Sequence, residues 1–196
     1  MQTVLFVDGE NFLKKLRDVF DSEGQSISEF HLYNFNGLFD KVLENIKIDR
    51  KIFYFAKIRE HKDTIQKSRE LIERRRLLKT HLERTGFEVI IKGNIRGQVT
   101  KNKEGQEVLV FREKGVDVKI AVDMVAFGCD NKIKSAIIAS SDSDLQPAIE
   151  ELKNRGIERV YLGFEHMPNK GLTYTTNRTI LIRDAEVLSF AGRTLL

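Results

Sequence analysis

The sequence predicts an α/β fold, a sandwich in which helices cover a mostly parallel sheet. Two observations lead to this prediction. Short apolar runs of β-type residues alternate with longer segments in which apolar residues recur at helical spacing. Turn-forming Asp, Gly and Asn residues separate the two kinds of segment. Because parallel strands need crossover connections, strands that alternate with helices indicate a parallel sheet.

The first half of the chain is predicted to contain two strands and three helices. Residues 3–7 form an uninterrupted apolar run, which is typical of a buried parallel strand, and a helix follows it. Residues 38–46 carry a second helical stripe, and residues 51–58 form the second strand. Residues 61–84 form a long charged helix with a narrow apolar stripe. That stripe consists of Ile65, Ile72, Leu78 and Leu82.

The middle of the chain is predicted to contain a hairpin. Residues 87–92 form a third strand. Residues 98–112 form a hairpin, because apolar alternation resumes on both sides of a turn near residues 102–105. We expect a basic hairpin insertion over about residues 94–113.

Residues 116–127 are predicted to form the next helix. Their apolar residues also alternate as in a strand, but a helix fits better because four of them would share one face. These four are Val118, Ala121, Val122 and Val125. We expect this face to pack on the core.

The last third of the chain is predicted to complete the sheet. Residues 134–140 form a buried strand, and residues 143–146 fit a capping box that opens a helix. Residues 159–164 form a further strand, and the last strand lies near Ile180. A short helix at residues 184–190 ends the fold.

The composition indicates a globular protein. Its 196 residues are 41% hydrophobic and 32% charged, which supports a packed core and excludes a disordered chain. We expect one domain over residues 1–196, with the core in residues 3–190. The only cysteine, Cys129, excludes an intramolecular disulfide and fits a cytoplasmic protein. No apolar run approaches the ~20 residues needed to cross a bilayer, and the amino terminus lacks signal-peptide features.

Acidic residues follow two of the predicted strands. Asp8 closes the first strand, and Asp142 and Asp144 follow the strand at residues 134–140. In open parallel sheets, ligands bind beyond the carboxyl ends of the strands, where the strand order reverses. A hard cation such as Mg²⁺ or Mn²⁺ relieves the repulsion between clustered carboxylates. The pattern therefore indicates a metal site for phosphodiester hydrolysis, although aspartates at these positions also form turns and helix caps.

Three ordered motifs resemble a known family. The first is Phe-Val-Asp-Gly-Glu-Asn at residues 6–11. The second is Lys-Gly-Val-Asp at residues 114–117, which leads into Ala-Val-Asp-Met at residues 121–124. The third is Ser-Ser-Asp-Ser-Asp-Leu at residues 140–145. In order and spacing these motifs resemble the NYN family of PIN-like nuclease domains, and the resemblance covers roughly residues 4–190.

The resemblance implies a PIN-like fold, which is a three-layer α/β/α sandwich with a mostly parallel central sheet. It also implies an endoribonuclease that hydrolyses RNA with the help of Mg²⁺ or Mn²⁺. The implied catalytic residues are four metal-binding aspartates and one supporting polar residue, namely Asp8, Asp117, Asp142, Asp144 and Asn11. Ser141 departs from the family pattern, because similar domains often have glycine there.

The family pattern contains both Asp117 and Asp123. On an α-helix, Asp117 would lie at the edge of the predicted core face, whereas Asp123 would point nearly opposite. We therefore predict that Asp117 is the metal ligand, although a lone aspartate there is also typical of a helix N-cap.

Basic residues crowd between residues 57 and 103, so the formal net charge of +4 is unevenly distributed. This asymmetry indicates a polyanionic partner, which would be RNA or single-stranded DNA. The predicted nucleic-acid-binding residues are Arg74, Arg75, Arg76, Lys79, Lys92, Arg96, Lys101 and Lys103. The alternative is a solvated helix face on which Glu70, Glu73 and Glu83 compensate the charge.

Two other functions are compatible with the sequence. The chain could be a catalytically weak NYN module that binds RNA or a protein partner. It could also be a receiver-like phosphoacceptor domain, but no clearly placed strand-end lysine supports that function. The oligomeric state stays open, and a homodimer is compatible with the sequence.

Overall fold

The computed structural model describes residues 1–59, 65–101, 105 and 107–192. Within these residues the strands are β1 (Gln2–Asp8), β2 (Arg50–Lys57), β3 (Glu88–Lys101), β4 (Glu107–Lys114), β5 (Ile133–Ala139), β6 (Glu158–Phe164) and β7 (Arg178–Ile182). They form one sheet in the order β4-β3-β2-β1-β5-β6-β7. All neighbouring pairs are parallel except β3 and β4, which are antiparallel. This sheet confirms the predicted α/β class.

The helices of the described residues cover both faces of the sheet. They are α1 (Gly9–Ser22), α2 (Phe35–Val42), α3 (Ile65–Arg84), α4 (Val116–Cys129), α5 (Gln146–Asn154), α6 (Lys170–Thr175) and α7 (Asp184–Ser189). In the part of the chain that the structure describes, no helix is long and apolar enough to cross a membrane.

Two apolar cores lie on opposite faces of the sheet. On β1, Leu5 and Val7 point into the core formed with α1, α2, α3 and α7. Val4 and Phe6 point into the second core, formed with α4, α5 and α6. Because successive side chains of a strand point to opposite faces, an uninterrupted apolar strand is buried on both sides. The result is the predicted three-layer sandwich.

The strand order reverses between β1 and β5. From β1 the chain proceeds through β2 to β3 on one side, and from β5 through β6 to β7 on the other. Val7 pairs with Ala139, so Asp8 and Ser140 leave the sheet side by side. Ligands of open α/β sheets bind in the crevice at such a point.

β3 differs from the predicted pattern because it is one continuous strand. The predicted third strand and the first arm of the hairpin belong to the same element, which pairs first with β2 and then, from Asn94, with β4. Gly93 has a φ of 81° and lies so close to the Lys114 carbonyl that no Cβ would fit. Glycine therefore lets the strand bend without ending. Residues 102–104, in the predicted turn, lie outside the described residues.

α4 forms where predicted, but only half of the predicted core face packs on the core, through Ala121 and Val125. Val118 and Val122 are 59% and 56% exposed, whereas Ile120 and Met124 are buried. Apolar residues occupy nearly the whole circumference of this helix. Helical periodicity therefore could not identify the face that packs on the sheet.

Two smaller expectations also failed, and one short helix was not expected. Ile65, predicted to lie on the core stripe of α3, is 45% exposed. No capping box opens α5, because a 3-10 turn at Ser143–Leu145 precedes it and Pro147 lies in its first turn. Proline lacks an N–H group and therefore favours the start of a helix. The short helix α6 had no predicted counterpart.

Candidate metal centre

Asp8 lies at the carboxyl end of β1 and is only 8% exposed. Its Oδ1 accepts a hydrogen bond from the Asn11 N–H at 3.2 Å, which caps α1. Its Oδ2 accepts one from the Ser140 hydroxyl at 3.1 Å. Aspartate at this position therefore caps a helix, as the sequence indicated. The same side chain also lines a cleft together with Asp117 and Asp142, which we call the acidic cleft.

Burial raises the pKa of the Asp8 carboxyl to about 6. The hydrogen bonds from Asn11 and Ser140 oppose this shift, and the negative charges of Asp142 and Glu10 add to it. Ionised Asp8 is thus an unfavourable group in this environment, and a nearby cation would favour its charged form.

The loop after β5 turns sharply because its side chains bind its own backbone. The Ser140 hydroxyl accepts a hydrogen bond from the Asp142 N–H at 3.1 Å. Asp142 Oδ1 accepts one from the Asp144 N–H at 2.9 Å and caps the 3-10 turn. These short-range bonds place the Asp142 and Asp144 carboxylates beside each other.

Asp117 reaches the same place from the other side of the cleft. It lies in the first turn of α4, and this helix begins directly after Gly115. The φ of 87° at Gly115 reverses the chain as it leaves β4. One carboxylate oxygen from each of Asp117, Asp142 and Asp144 lies within 4.8 Å of the others. Within the described residues, none of these three aspartates forms an ion pair with lysine or arginine.

This spacing fits a hard divalent cation. Oxygen ligands bind Mg²⁺ or Ca²⁺ at about 2.0–2.6 Å, so two ligands of one ion lie no more than about 4–5 Å apart. The three carboxylate oxygens satisfy that limit. Asp8 is not a member of this trio, but it lines the same cleft as Asp117 and Asp142. The structure thus brings Asp8, Asp117 and Asp142 to one cleft and Asp144 next to two of them, and Asp8 is the most buried of the four.

Asn11 binds the loop of residues 140–144 after β5, which we call the acidic loop. Its Oδ1 accepts hydrogen bonds from the Ser141 N–H at 3.0 Å and the Ser141 hydroxyl at 2.9 Å. Ser141 itself is not in the left-handed region, where the only described non-glycine residue is Asn131. The departure from glycine therefore causes no backbone strain, and its hydroxyl adds a bond to Asn11.

Asn169 is a positioning residue that the sequence did not reveal. Its side-chain amide donates to the Ser141 carbonyl at 2.8 Å, and its Oδ1 caps α6 by accepting from the Leu172 N–H. Its own N–H donates to the Tyr161 hydroxyl at 2.9 Å. No sequence signal points to it beyond the N-cap preference of asparagine.

The cleft has a volume of about 700 Å³ and is not purely acidic. Lys14 on α1 and Lys114 at the end of β4 also line it, and both are exposed. Neither was among the predicted functional residues. Cations on the rim of an acidic cleft are suited to hold the phosphate that approaches a bound metal.

Asp123 has a structural role within α4. It is 7% exposed and accepts hydrogen bonds from the Tyr54 hydroxyl at 3.0 Å and from Lys119 Nζ at 2.5 Å. The expectation that it points away from the core was wrong, because α4 packs on the sheet through a different face. Its partners on β2 and α4 account for it without a metal.

The structure separates the predicted basic residues into different environments. Arg75 forms an ion pair with Glu10 and stacks on Phe55, with its guanidinium carbon 4.1 Å from the ring centroid. Arg76 and Lys79 pair with Glu73 and Glu83 on the surface of α3.

Two other predicted basic residues, Arg74 and Lys92, are exposed. Lys103 lies outside the described residues, and the side chains of Arg96 and Lys101 are likewise not described.

Comparisons with known proteins agree with the fold. The NYN domain model matches residues 2–183, nearly the whole chain. A search of curated proteins finds no match. A solved structure of a protein of unknown function from Vibrio parahaemolyticus RIMD 2210633 has a similar fold, with a TM-score of 0.57 and 17% identity over 92% of this chain and 93% of that chain. Identity this low shows the fold alone. Because the family match spans nearly all of the sheet and helices, the chain belongs to the NYN domain family of PIN-like nuclease domains.

Proposed function

We propose that this protein is an endoribonuclease that depends on Mg²⁺ or Mn²⁺. The observation that carries the proposal is the approach of the Asp117, Asp142 and Asp144 carboxylates to within 4.8 Å without a described cationic partner. Carboxylates that converge in this way favour a hard divalent cation. Membership of the family supports RNA as the substrate and cleavage within the strand as part of this proposal.

The proposed roles follow from position. Asp117, Asp142 and Asp144 would hold the metal, and Asp8, which lines the same cleft, would support it. When bound, such a cation supplies a water nucleophile of lowered pKa and a contact for the scissile phosphate. Asn11 would keep the acidic loop in place through its two hydrogen bonds to Ser141.

The first test uses circular single-stranded RNA, which has no ends and is therefore cut only by an endonuclease. We expect the purified protein to linearise it in Mn²⁺ or Mg²⁺ and to be inactive in EDTA. Asp142→Asn should lower the rate by at least roughly a hundredfold, because it removes one anionic ligand. Gel electrophoresis of the products measures the rate.

The matched control is Asp21→Asn, the same substitution at an exposed aspartate near the end of α1, away from the cleft. Its rate should equal that of the unmodified protein. Cleavage that persists in EDTA, or that Asp142→Asn leaves intact, would contradict the proposal. RNA binding without cleavage would instead support a catalytically weak binding module.

A further inference from the structure

A second cavity lies beside the acidic cleft and has a volume of about 610 Å³. It lies between α1, α3 and the segment of residues 26–31, and we call it the arginine groove. Glu10 lines both the groove and the cleft. Asn94 lines the cleft, and its neighbour Ile95 lines the groove. The two cavities are therefore adjacent, with Glu10 between them.

The rim of the arginine groove is cationic. Arg17 on α1 and Arg74 on α3 line the groove and are exposed. His31 also lines it and is half-buried. The Arg17 guanidinium carbon lies 5.4 Å from the centroid of the Phe30 ring. Glu10 is the only acidic residue among the described lining residues, and Arg75 already neutralises it. The groove thus complements an anion.

The floor of the groove is apolar. Ile58, Leu71 and Ile95 line it and are half-buried, so part of each side chain faces the cavity. Leu13 and Leu78, which are buried, also line the cavity. An apolar surface next to arginines is suited to a nucleobase whose neighbouring phosphate contacts the arginines.

Arg75 adds an unsatisfied donor at the wall of the groove. One of its terminal nitrogens pairs with Glu10, whereas Nη1 is buried and has no hydrogen-bond partner among the described residues. A buried donor without an acceptor costs free energy. Nη1 is shielded from solvent, so a phosphate oxygen in the groove could accept from it only after the Arg75 side chain turns toward the cavity.

The geometry points to a nucleotide subsite, and this inference rests on the proposed function. The arginine groove holds a nucleotide next to the one whose phosphate enters the acidic cleft. Arg17 and Arg74 contact its phosphate, and its base lies on the apolar floor. A paired base cannot turn toward that floor, so the substrate class is single-stranded RNA.

The test measures binding in EDTA, where no cleavage occurs. Fluorescence anisotropy compares a labelled oligouridylate with a blunt RNA duplex of the same strand length. We expect Arg74→Ala and Arg17→Ala each to weaken oligouridylate binding by roughly tenfold and to lower the salt slope by about one. Leu71→Gln should weaken oligouridylate binding without changing the salt slope, because it alters only the apolar floor.

The matched control is Arg178→Ala, which removes the same side chain from the start of β7, at the opposite edge of the sheet. It should leave the affinity unchanged, and circular dichroism should show that every variant is folded. Equal binding of duplex and oligouridylate would overturn the inference. So would oligouridylate affinity that is indifferent to all three groove variants, as expected if the groove binds a protein.

The outcomes separate this inference from the proposed function. RNA affinity that depends on Arg17 and Arg74, in a protein that never cleaves RNA, would support the groove and contradict the nuclease. If the protein cleaves RNA with metal but its RNA affinity does not change in the Arg17 and Arg74 variants, the result supports the nuclease function and contradicts the nucleotide subsite in the groove.

Discussion

Asp8 shows how one residue can serve the fold and oppose it. Its carboxylate caps α1 and binds Ser140, yet burial makes its ionised form unfavourable. Such a group is tolerated at functional sites, where stability and activity often conflict. We therefore expect ionisation of the Asp8 carboxyl to lower the free energy of unfolding, so that stability depends on pH.

We predict that Asp8→Asn changes the pH dependence of stability in EDTA. The folded-state pKa of about 6 lies above the ordinary value of 3.8, so ionisation favours the unfolded chain. The contribution of Asp8 to stability is present below 3.8 and is lost as the pH rises through about 6. Relative to the variant, the unmodified protein should therefore lose about 3 kcal/mol across this window.

Urea unfolding at a series of pH values measures this difference. Asparagine at position 8 keeps an acceptor for the Asn11 N–H. Any hydrogen bond that the substitution removes therefore changes the free energy of unfolding by the same amount at every pH. A free energy of unfolding that rises with pH in the unmodified protein relative to the variant would have the wrong sign and would refute the assignment.

α4 places its two aspartates in different surroundings. Asp117 in its first turn faces the cleft, whereas Asp123 faces β2 and binds Tyr54 and Lys119. The difference depends on which face of the helix packs on the sheet. Matched alanine substitutions on this one helix should therefore separate metal binding from stability.

We predict that Asp123→Ala lowers the free energy of unfolding by about 2 kcal/mol, because it leaves the buried Tyr54 hydroxyl and Lys119 without their acceptor. The folded fraction should still bind Mn²⁺. Asp117→Ala should weaken Mn²⁺ binding strongly while changing stability in EDTA little. Urea unfolding and calorimetric titration measure the two quantities, and an exchange of the two effects would show that Asp123 is the ligand.

At the scale of the whole molecule, the candidate site joins segments that are distant in the chain. Asp8 follows β1, Asp117 opens α4, and the acidic loop follows β5. An ion held between them would bind only the folded protein. Metal binding and folding should therefore be coupled.

We predict that Mn²⁺ at about a hundred times its dissociation constant stabilises the protein by about 2.7 kcal/mol. For a chain of this size, that raises the melting temperature by roughly 5–10 °C. Thermal denaturation with Mn²⁺ and with EDTA measures the shift. Asp142→Asn should abolish it, and an equal shift in that variant would place the bound ion elsewhere.

The sequence alone was sufficient for the class of the sheet and for the acidic motifs. The apolar run from Thr3 to Val7 indicated a strand buried on both faces, and the alternation of elements indicated the parallel sheet. Asp8 and Asp142 could be located at strand ends, because turn chemistry is local. These features depend on neighbours in the chain, and local patterns report them directly.

Only the tertiary structure decided which side chains face which surface. The nearly uniform apolarity of α4 hid the burial of Asp123. Three consecutive arginines have different surroundings. Arg74 lines the groove, Arg75 contacts the distant Glu10 and Phe55, and Arg76 pairs with the nearby Glu73 on the surface. Asn169 contacts Ser141 only because β6 and α6 pack beside β5. Except for the pair of Arg76 with Glu73, these contacts join residues that are remote in sequence, so no local pattern encodes them.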